Sequence, residues 1–430
     1  LAGYPGSIAS TWQQIGRSGR RGTTSIAIVV ATGDPMDQFV IQHPDYFFAQ
    51  PPEFARIDAD NLRVAVEHLK CACYELPWEV GESYGAFDAE ETEEMLEFLA
   101  HETGMMQRGA EQWRWSERDY PASSVHLRNI AEENFVVVDV THGRQEILAE
   151  VDFESAHTTL YPHAVYQVSG RPYRVERLDY DERRAYVRAS DDDHYTTATQ
   201  YTAVRVLETL EEDLCNQAHI GFGEVCVTRR LVGYKKIRFG TGEHVGYGAL
   251  HLPQLDLHTM SYWVTLPSRH FEDAHDPHVW ARMVQGLGTV LETAAALKLM
   301  CDPQDLCLCI GSVSEDTWLT KSFEGWTTRS TSDADQGLSA QGRREGPVAP
   351  ALHNPTLFLY DRFPGGVGFG EGLFEEHLDF MRRAYDLVHD CACAHGCPSC
   401  VGPPELGERP VRRLVERVLM RLMIEPAAQR

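Results

Sequence analysis

The chain has 430 residues, more than one hydrophobic core usually organises, so about two to four domains are expected. A net charge of −25 excludes a protein that coats nucleic acid by bulk attraction, and any DNA contact must come from local basic strips on an acidic body. No apolar run reaches the roughly 18 residues a membrane helix needs, and eleven cysteines without a secretory signal point to a reducing, cytoplasmic compartment.

In chain order, the first informative stretch is Gln13-Gln14-Ile15-Gly16-Arg17-Ser18-Gly19-Arg20-Arg21-Gly22. The pattern predicts a helix through Thr11–Ile15, a glycine-rich turn, then a strand Ser25–Val30. Ile26 to Val30 are continuously apolar, as in a buried parallel strand. Arg17 and Arg20 each follow a glycine, so the turn can push two guanidinium groups into a cleft. Arginine suits phosphate because it is always charged, planar and a two-pronged donor.

The order Gln-x-x-Gly-Arg-x-Gly-Arg resembles motif VI of the superfamily 2 helicases. The flanks Gly3-Tyr4-Pro5-Gly6-Ser7 and Asp34-Pro35-Met36-Asp37-Gln38 resemble the MrfA-type branch, bacterial relatives of the fungal Hrq-type, RecQ-like helicases. The resemblance implies an ATP-dependent DNA helicase with 3′→5′ translocation and a role in DNA repair. It makes Arg17 and Arg20 the groups that steady transition-state charge at the γ-phosphate. Gln13, Gly16 and Gly19 then belong to the nucleotide site. The chain contains no Gly-x-x-x-x-Gly-Lys-Ser/Thr loop and no Asp-Glu-x-His box to hold phosphates and Mg²⁺. It also starts inside a motif. The expectation is therefore the C-terminal part of a longer protein, with ATP and Mg²⁺ held by an N-terminal helicase lobe and this piece inactive alone.

Beyond Pro51-Pro52, Asp58-Ala59-Asp60-Asn61 is a plausible N-cap for a helix whose apolar positions are Leu62, Val66, Leu69 and Cys73. Glu90–Ala100 forms a second helix, and Trp113-Arg114-Trp115 follows. Two helices and an aromatic-basic ribbon fit a winged helix, which the helicase resemblance also implies at this place. Trp113 and Trp115 either stack on DNA or fill the core. Cys71 and Cys73 read as packed thiols rather than ligands.

From Ser123 to Glu208, short alternating runs suggest a small antiparallel β-barrel. Asp191-Asp192-Asp193-His194 reads as a solvated hairpin tip. Arg229-Arg230 and Lys235-Lys236-Ile237-Arg238 form the densest later basic strip, expected as a hairpin turning at Val232-Gly233. It serves either a DNA backbone or an aggregation-proof edge. Trp280–Lys298 is an amphipathic helix, and Cys301, Cys307 and Cys309 read as apolar packing. Thr327–Pro350 has the composition of a mobile loop, and Asp361–Gly368 reads as a tight turn that lacks a phosphate-loop lysine.

Cys391-Ala392-Cys393-Ala394-His395-Gly396-Cys397-Pro398-Ser399-Cys400 packs four thiols into ten residues. Cys391, Cys393, Cys397 and Cys400 can close a tetrahedron around Zn²⁺, and a filled sphere makes the ion structural. An iron–sulfur centre and a disulfide are the rivals. This stretch, its preceding helix and Asp361–Gly368 resemble the MrfA zinc-binding (MZB) domain. A last amphipathic helix spans Val411–Met423.

The expected fold class is multidomain α/β plus α+β. The tail of a RecA-like helicase lobe spans 1–43, a winged-helix-like domain 44–120, and the small barrel 121–210. A C-terminal α+β zinc-binding domain with the basic hairpin spans 211–430. The expected partners are single-stranded or forked DNA and the missing N-terminal lobe, not a membrane. Two other readings remain: a DISARM-type phage-defence helicase component, and a non-enzymatic zinc-containing DNA-binding scaffold.

Overall fold

The computed structural model describes residues 1–19, 24–54, 58, 61–101, 103–123, 125, 134–215, 218–267, 277–311, 317–318, 329–330, 354–402 and 410–423. The chain forms two compact units. One comprises Leu1–Val125, Val204–Cys226 and His258–Arg430; the other comprises His126–Ala203 and Val227–Leu257.

The first unit begins with helices α1 (Ile8–Ile15), α2 (Pro35–Gln42) and α3 (Pro44–Phe48). The strand expected at Ser25–Val30 is not formed. Ile26, Ile28 and Val30 are exposed, and the segment's one β contact is an isolated bridge from Val30 to Ala2. The reason is physical: an apolar run becomes a buried strand only where neighbouring strands take its backbone groups.

Two helices, α4 (Leu62–Glu75) and α5 (Ala89–His101), then pack on a small sheet of β1 (Trp78–Glu79), β2 (Met106–Arg108) and β3 (Gln112–Trp115), ordered β1-β3-β2. Leu69, Cys73, Leu96, Leu99 and Trp113 form its core. This is a winged helix, as the ribbon suggested. Cys73 packs as an apolar side chain.

The second unit carries β4 (Phe135–Asp139), β5 (Glu146–Val151), α6 (Phe153–Thr159), β6 (Val165–Val168), β7 (Arg171–Asp179) and β8 (Arg184–Ala189). Their order is β5-β4-β8-β7-β6. The expected strands are present, but the sheet is not a purely antiparallel barrel. β4 and β8 run parallel, and no pairing among the described residues joins β5 to β6. Val137, Val175 and Val187 are fully buried in its core.

Two long strands, β9 (His194–Cys215) and β10 (Ala218–Arg238), contribute to both units. Val232-Gly233 is not a turn. β10 runs straight through it and pairs with β11 (His244–Ala249), Gly233 opposite Ala249. A Cβ on Gly233 would stand 2.6 Å from the Gly248 carbonyl oxygen, so this glycine serves close strand approach. The reversal comes later, where Gly240 and Gly242 take positive φ.

The large sheet runs β11-β10-β12-β16-β13, with β12 at Leu255–Thr265, β13 at Leu306–Gly311 and β16 at Thr356–Asp361. Two short strands, β14 (Thr317–Trp318) and β15 (Arg329–Ser330), pair separately. Apart from Arg329 and Ser330, the loop expected at Thr327–Pro350 lies outside the described residues. Every residue of β16 is buried, as befits a strand with sheet on both sides and helices above it. Helix α7 (Pro277–Leu299) covers this sheet, burying Val284, Leu287, Val290, Leu291 and Ala294. Gly288 lets it lie close, since a Cβ there would meet Leu308 at 2.7 Å. Helices α8 (Phe369–Glu375), α9 (His377–His389) and α10 (Arg412–Met423) complete the core. Among the described residues, no helix is long and apolar enough to cross a membrane.

Candidate zinc centre and nucleic-acid interface

Helix α9 delivers the chain to the four-cysteine segment. Its last turn leaves carbonyls without helical partners. Arg412, opening α10, closes that end: its guanidinium donates to Val388 O at 2.8 and 3.0 Å and to His389 O at 2.9 Å. The chain then turns so that the sulfurs of Cys391, Cys393, Cys397 and Cys400 all lie within 4.8 Å of one another. The Cys391–Cys397, Cys393–Cys400 and Cys397–Cys400 pairs stand at 3.6 Å. Four thiolates about 2.3 Å from a tetrahedral Zn²⁺ would sit about 3.8 Å apart, so the donor set fits that ion. A disulfide, with sulfurs at about 2.05 Å, does not describe these pairs.

The knot packs against the main core. Cys400 and Val401 are buried. Gly286 on α7 makes room for them: a Cβ there would touch the Val401 carbonyl oxygen at 3.0 Å. Burial pushes the Cys400 thiol up, a cost that a bound cation would offset by holding the thiolate. No other metal-ready cluster of His, Cys, Asp or Glu occurs among the described residues. Cys309 is packed instead, and two of the three aspartates are partnered by arginines: Arg174 takes Asp192 and Arg238 takes Asp193.

At the other end, α1 is N-capped by Ser7, whose hydroxyl accepts from Ser10 N at 3.1 Å. Ile8 and Thr11 face inward, while Gln13, Gly16, Arg17 and Gly19 are exposed. Gly16 ends the helix and Gly19 takes φ +69°, the turn that the glycine spacing requires. Arg17 makes no ion pair among the described residues, and Arg20 lies outside them. The Asp37 carboxylate braces the following segment, accepting from Tyr4 N at 2.7 Å and Thr32 N at 2.6 Å. Burial pushes that carboxyl up, but the two amides outweigh it and hold it below the usual range. The two chain ends also touch, because Ser399 Oγ donates to Gly33 O at 3.1 Å.

The expected DNA contacts divide. Trp113 is 1% exposed, and its indole N–H donates to Glu93 at 3.1 Å. It is core, not a stacking face, because alternation along β3 turns Trp113 in and Arg114 out. Trp115 is half-buried against the same core. The outward face of α5 bears Glu90, Glu91, Glu94 and Glu97, which repel phosphate. On β10, Arg229 is bound to Glu154 at 3.0 Å, and Arg238 to Glu243 at 3.0 Å and Asp193 at 3.4 Å. Strand alternation also splits the strip, placing Arg229 and Lys235 on the face opposite Arg230 and Lys236.

Sequence reasoning missed how Asn61 is used. Its Oδ1 accepts from Arg63 N at 3.1 Å and Val64 N at 3.2 Å, capping α4. Its Nδ2 donates to Pro364 O at 3.0 Å and Gly366 O at 2.9 Å, pinning the glycine loop before α8. That loop holds no outside anion, because the buried Asp361 carboxylate accepts from Val367 N at 2.5 Å and Phe369 N at 3.3 Å. Burial raises Asp361 to about 7 against the pull of those amides.

Known proteins match both regions. The family model of the MrfA Zn-binding domain (MZB) matches residues 287–401, and that of the HRQ1 ATP-dependent helicase winged helix domain matches 57–130. The chain is 36% identical over 417 residues to a Bacillus subtilis protein described as the uncharacterized ATP-dependent helicase YprA, covering 97% of this chain and 50% of that one. It is 25% identical over 411 residues to the ATP-dependent helicase HRQ1 of Saccharomyces cerevisiae, covering 93% and 35%. The crystal structure of the DUF1998 helicase MrfA bound to DNA superposes with a TM-score of 0.58 at 33% identity, covering 98% of this chain and 51% of that one. MrfA bound to DNA and AMPPNP gives 0.53 at 32%, covering 97% and 49%. The chain therefore spans about a third to a half of the length of these relatives.

Proposed function

We propose, from this kinship to part of the MrfA- and Hrq1-type helicases, that the chain is the C-terminal part of an ATP-dependent DNA helicase. The observation that carries the reading is the superposition of 98% of the chain on a DNA-bound helicase. Cys391, Cys393, Cys397 and Cys400 hold a structural Zn²⁺ in this reading, and the chain binds single-stranded or forked DNA. Translocation 3′→5′ and a role in DNA repair belong to the same proposal.

Arg17 and Arg20 reach across a cleft to a triphosphate whose phosphates and Mg²⁺ are held by the other helicase lobe. There they steady the charge that builds on the transferred phosphoryl group. The exposed position of Arg17, free of ion pairs among the described residues, supports this role. Gly16 and Gly19 give the two arginines their room, and Gln13 links nucleotide state to lobe closure. The test is ATP hydrolysis by the complete helicase carrying Arg17→Ala or Arg20→Ala. Turnover should fall by about a hundredfold or more while DNA affinity is kept. Unchanged turnover, or hydrolysis by this polypeptide alone, would overturn the assignment.

A further inference from the structure

The β10–β11 hairpin carries an aromatic side chain that packing does not account for. Tyr247 is 70% exposed and lies outside the core clusters formed by the described residues. It stands on β11, which has β10 as its neighbour at the end of the sheet order. Gly246 and Gly248 flank it. A Cβ on Gly248 would fall 2.3 Å from the Tyr234 ring, and one on Gly246 would lie 3.6 Å from the Lys236 stem. The glycines thus yield one face to Tyr234 and Lys236, and alternation sends Tyr247 to the other. Its cross-strand partner there is Lys235. The His244 ring lies nearly parallel to Tyr247, 14° between planes and 6.3 Å between centroids.

The charge of this hairpin is opposite to that of the chain. Residues 229–249 carry five basic side chains and one acidic in a protein of net charge −25, with Arg229 and Arg238 paired to carboxylates and Arg230, Lys235 and Lys236 the remaining basic groups of the strip. The ion pairs of Arg229 with Glu154 and Arg238 with Glu243 fix the strand on which the aromatic face is mounted. An exposed ring beside basic groups on a rigid strand suits an unpaired base, because every base offers a π-face and the backbone follows the cations. Bases inside a duplex are already stacked and do not suit it.

We propose that Tyr247, backed by His244, is a stacking platform for a base of single-stranded DNA. This rests on the DNA-binding reading above. The test compares the unaltered chain with Tyr247→Ala and Tyr247→Phe, measuring fluorescence anisotropy with oligo(dT) and with an abasic oligonucleotide of equal length. The unaltered chain should favour oligo(dT). Tyr247→Ala should weaken oligo(dT) binding about tenfold and abolish that preference, while Tyr247→Phe keeps both. Unchanged binding by Tyr247→Ala overturns the proposal, as does an equal loss on both oligonucleotides or a failure of Tyr247→Phe to rescue. Were the unaltered chain to bind neither, the DNA-binding reading itself would fall, and this inference with it.

Discussion

The two strongest sequence motifs stand at opposite ends of the chain and have different structural fates. The four-cysteine segment is anchored in the main core at its C-terminal end, where Cys400 and Val401 join the cluster that holds Val388 of α9 and Val415 of α10, while Cys391, Cys393 and Cys397 are half-buried against it. The described part of the arginine motif lies open, with Arg17 exposed and Ile26, Ile28 and Val30 exposed after it. The difference teaches what a motif needs to become structure. A set of thiols carries all its partners within ten residues, whereas an apolar strand depends on neighbours that must come from elsewhere in space. The same contrast separates stability from chemistry. The cysteine end packs against the core, and Arg17 at the other end stays exposed.

Substitution at the two ends should break or confirm that contrast most sharply. Cys397→Ser removes one of the four clustered thiols and leaves the proposed zinc site, half-buried at three of its cysteines, one donor short. We expect loss of bound zinc and of at least about 4 kcal/mol, a large share of a domain's stability. Ile28→Ser, at 68% exposure, should change stability by no more than about 0.5 kcal/mol. Metal analysis and thermal melting of both variants check this. A Cys397→Ser protein that keeps its metal and melting point would remove the zinc centre from the account. Iron in the metal analysis would replace zinc with the iron–sulfur alternative.

What was legible in the sequence follows the same line. The four-cysteine cluster, the helices of the winged helix and most strands of the second unit are local patterns, and they fold as the local patterns require. Four features were hidden. The run Ile26–Val30 has strand composition, but composition does not supply a sheet. Gly233 looks like a turn residue, yet its lack of a side chain is used for close approach to Gly248. Trp113 and Arg114 are neighbours in sequence, and only the pairing of β3 decides which faces the core. The contact from Asn61 to Gly366 crosses 305 positions, so no window of sequence contains it.

The well-packed end also contains a proton-sensitive group. His377 opens α9 and is buried against Tyr262, whose hydroxyl hydrogen-bonds Nδ1 at 2.7 Å, while Nε2 has no partner among the described residues. Burial lowers its pKa from the usual 6.5 to about 4, despite a pull from Asp213 in the other direction. As pH falls through this interval, the unfolded chain takes up a proton that the folded chain refuses, so stability is lost. The full effect approaches about 3 kcal/mol near pH 4. Asp361, raised to about 7, has the opposite slope: its folded form keeps a proton that the unfolded chain has released. Comparing His377→Gln with the parent isolates the histidine. The variant's urea midpoint should fall less between pH 7 and pH 4.5, and parallel curves would exclude His377 as the source.

A smaller effect asks how far the rigidity of the cysteine end extends towards the winged helix. Asn61 is 5% exposed and serves both sides at once, capping α4 and holding the loop between β16 and α8. That loop has little freedom of its own: Gly365 and Gly366 take positive φ, and a Cβ on Gly365 would stand 2.5 Å from Asn61 Nδ2. Asn61→Ala deletes the cap and leaves two loop carbonyls without their donor, a loss of about 1–2 kcal/mol. Asn61→Asp should keep the cap but replace the donor with a second acceptor facing Pro364 O and Gly366 O. If the clasp matters, Asn61→Asp will be no more stable than Asn61→Ala, although aspartate caps helices as well as asparagine does. Full recovery of the thermal midpoint in Asn61→Asp would mean that Asn61 serves its own helix alone, and that the winged helix is not tied to the cysteine end through this side chain.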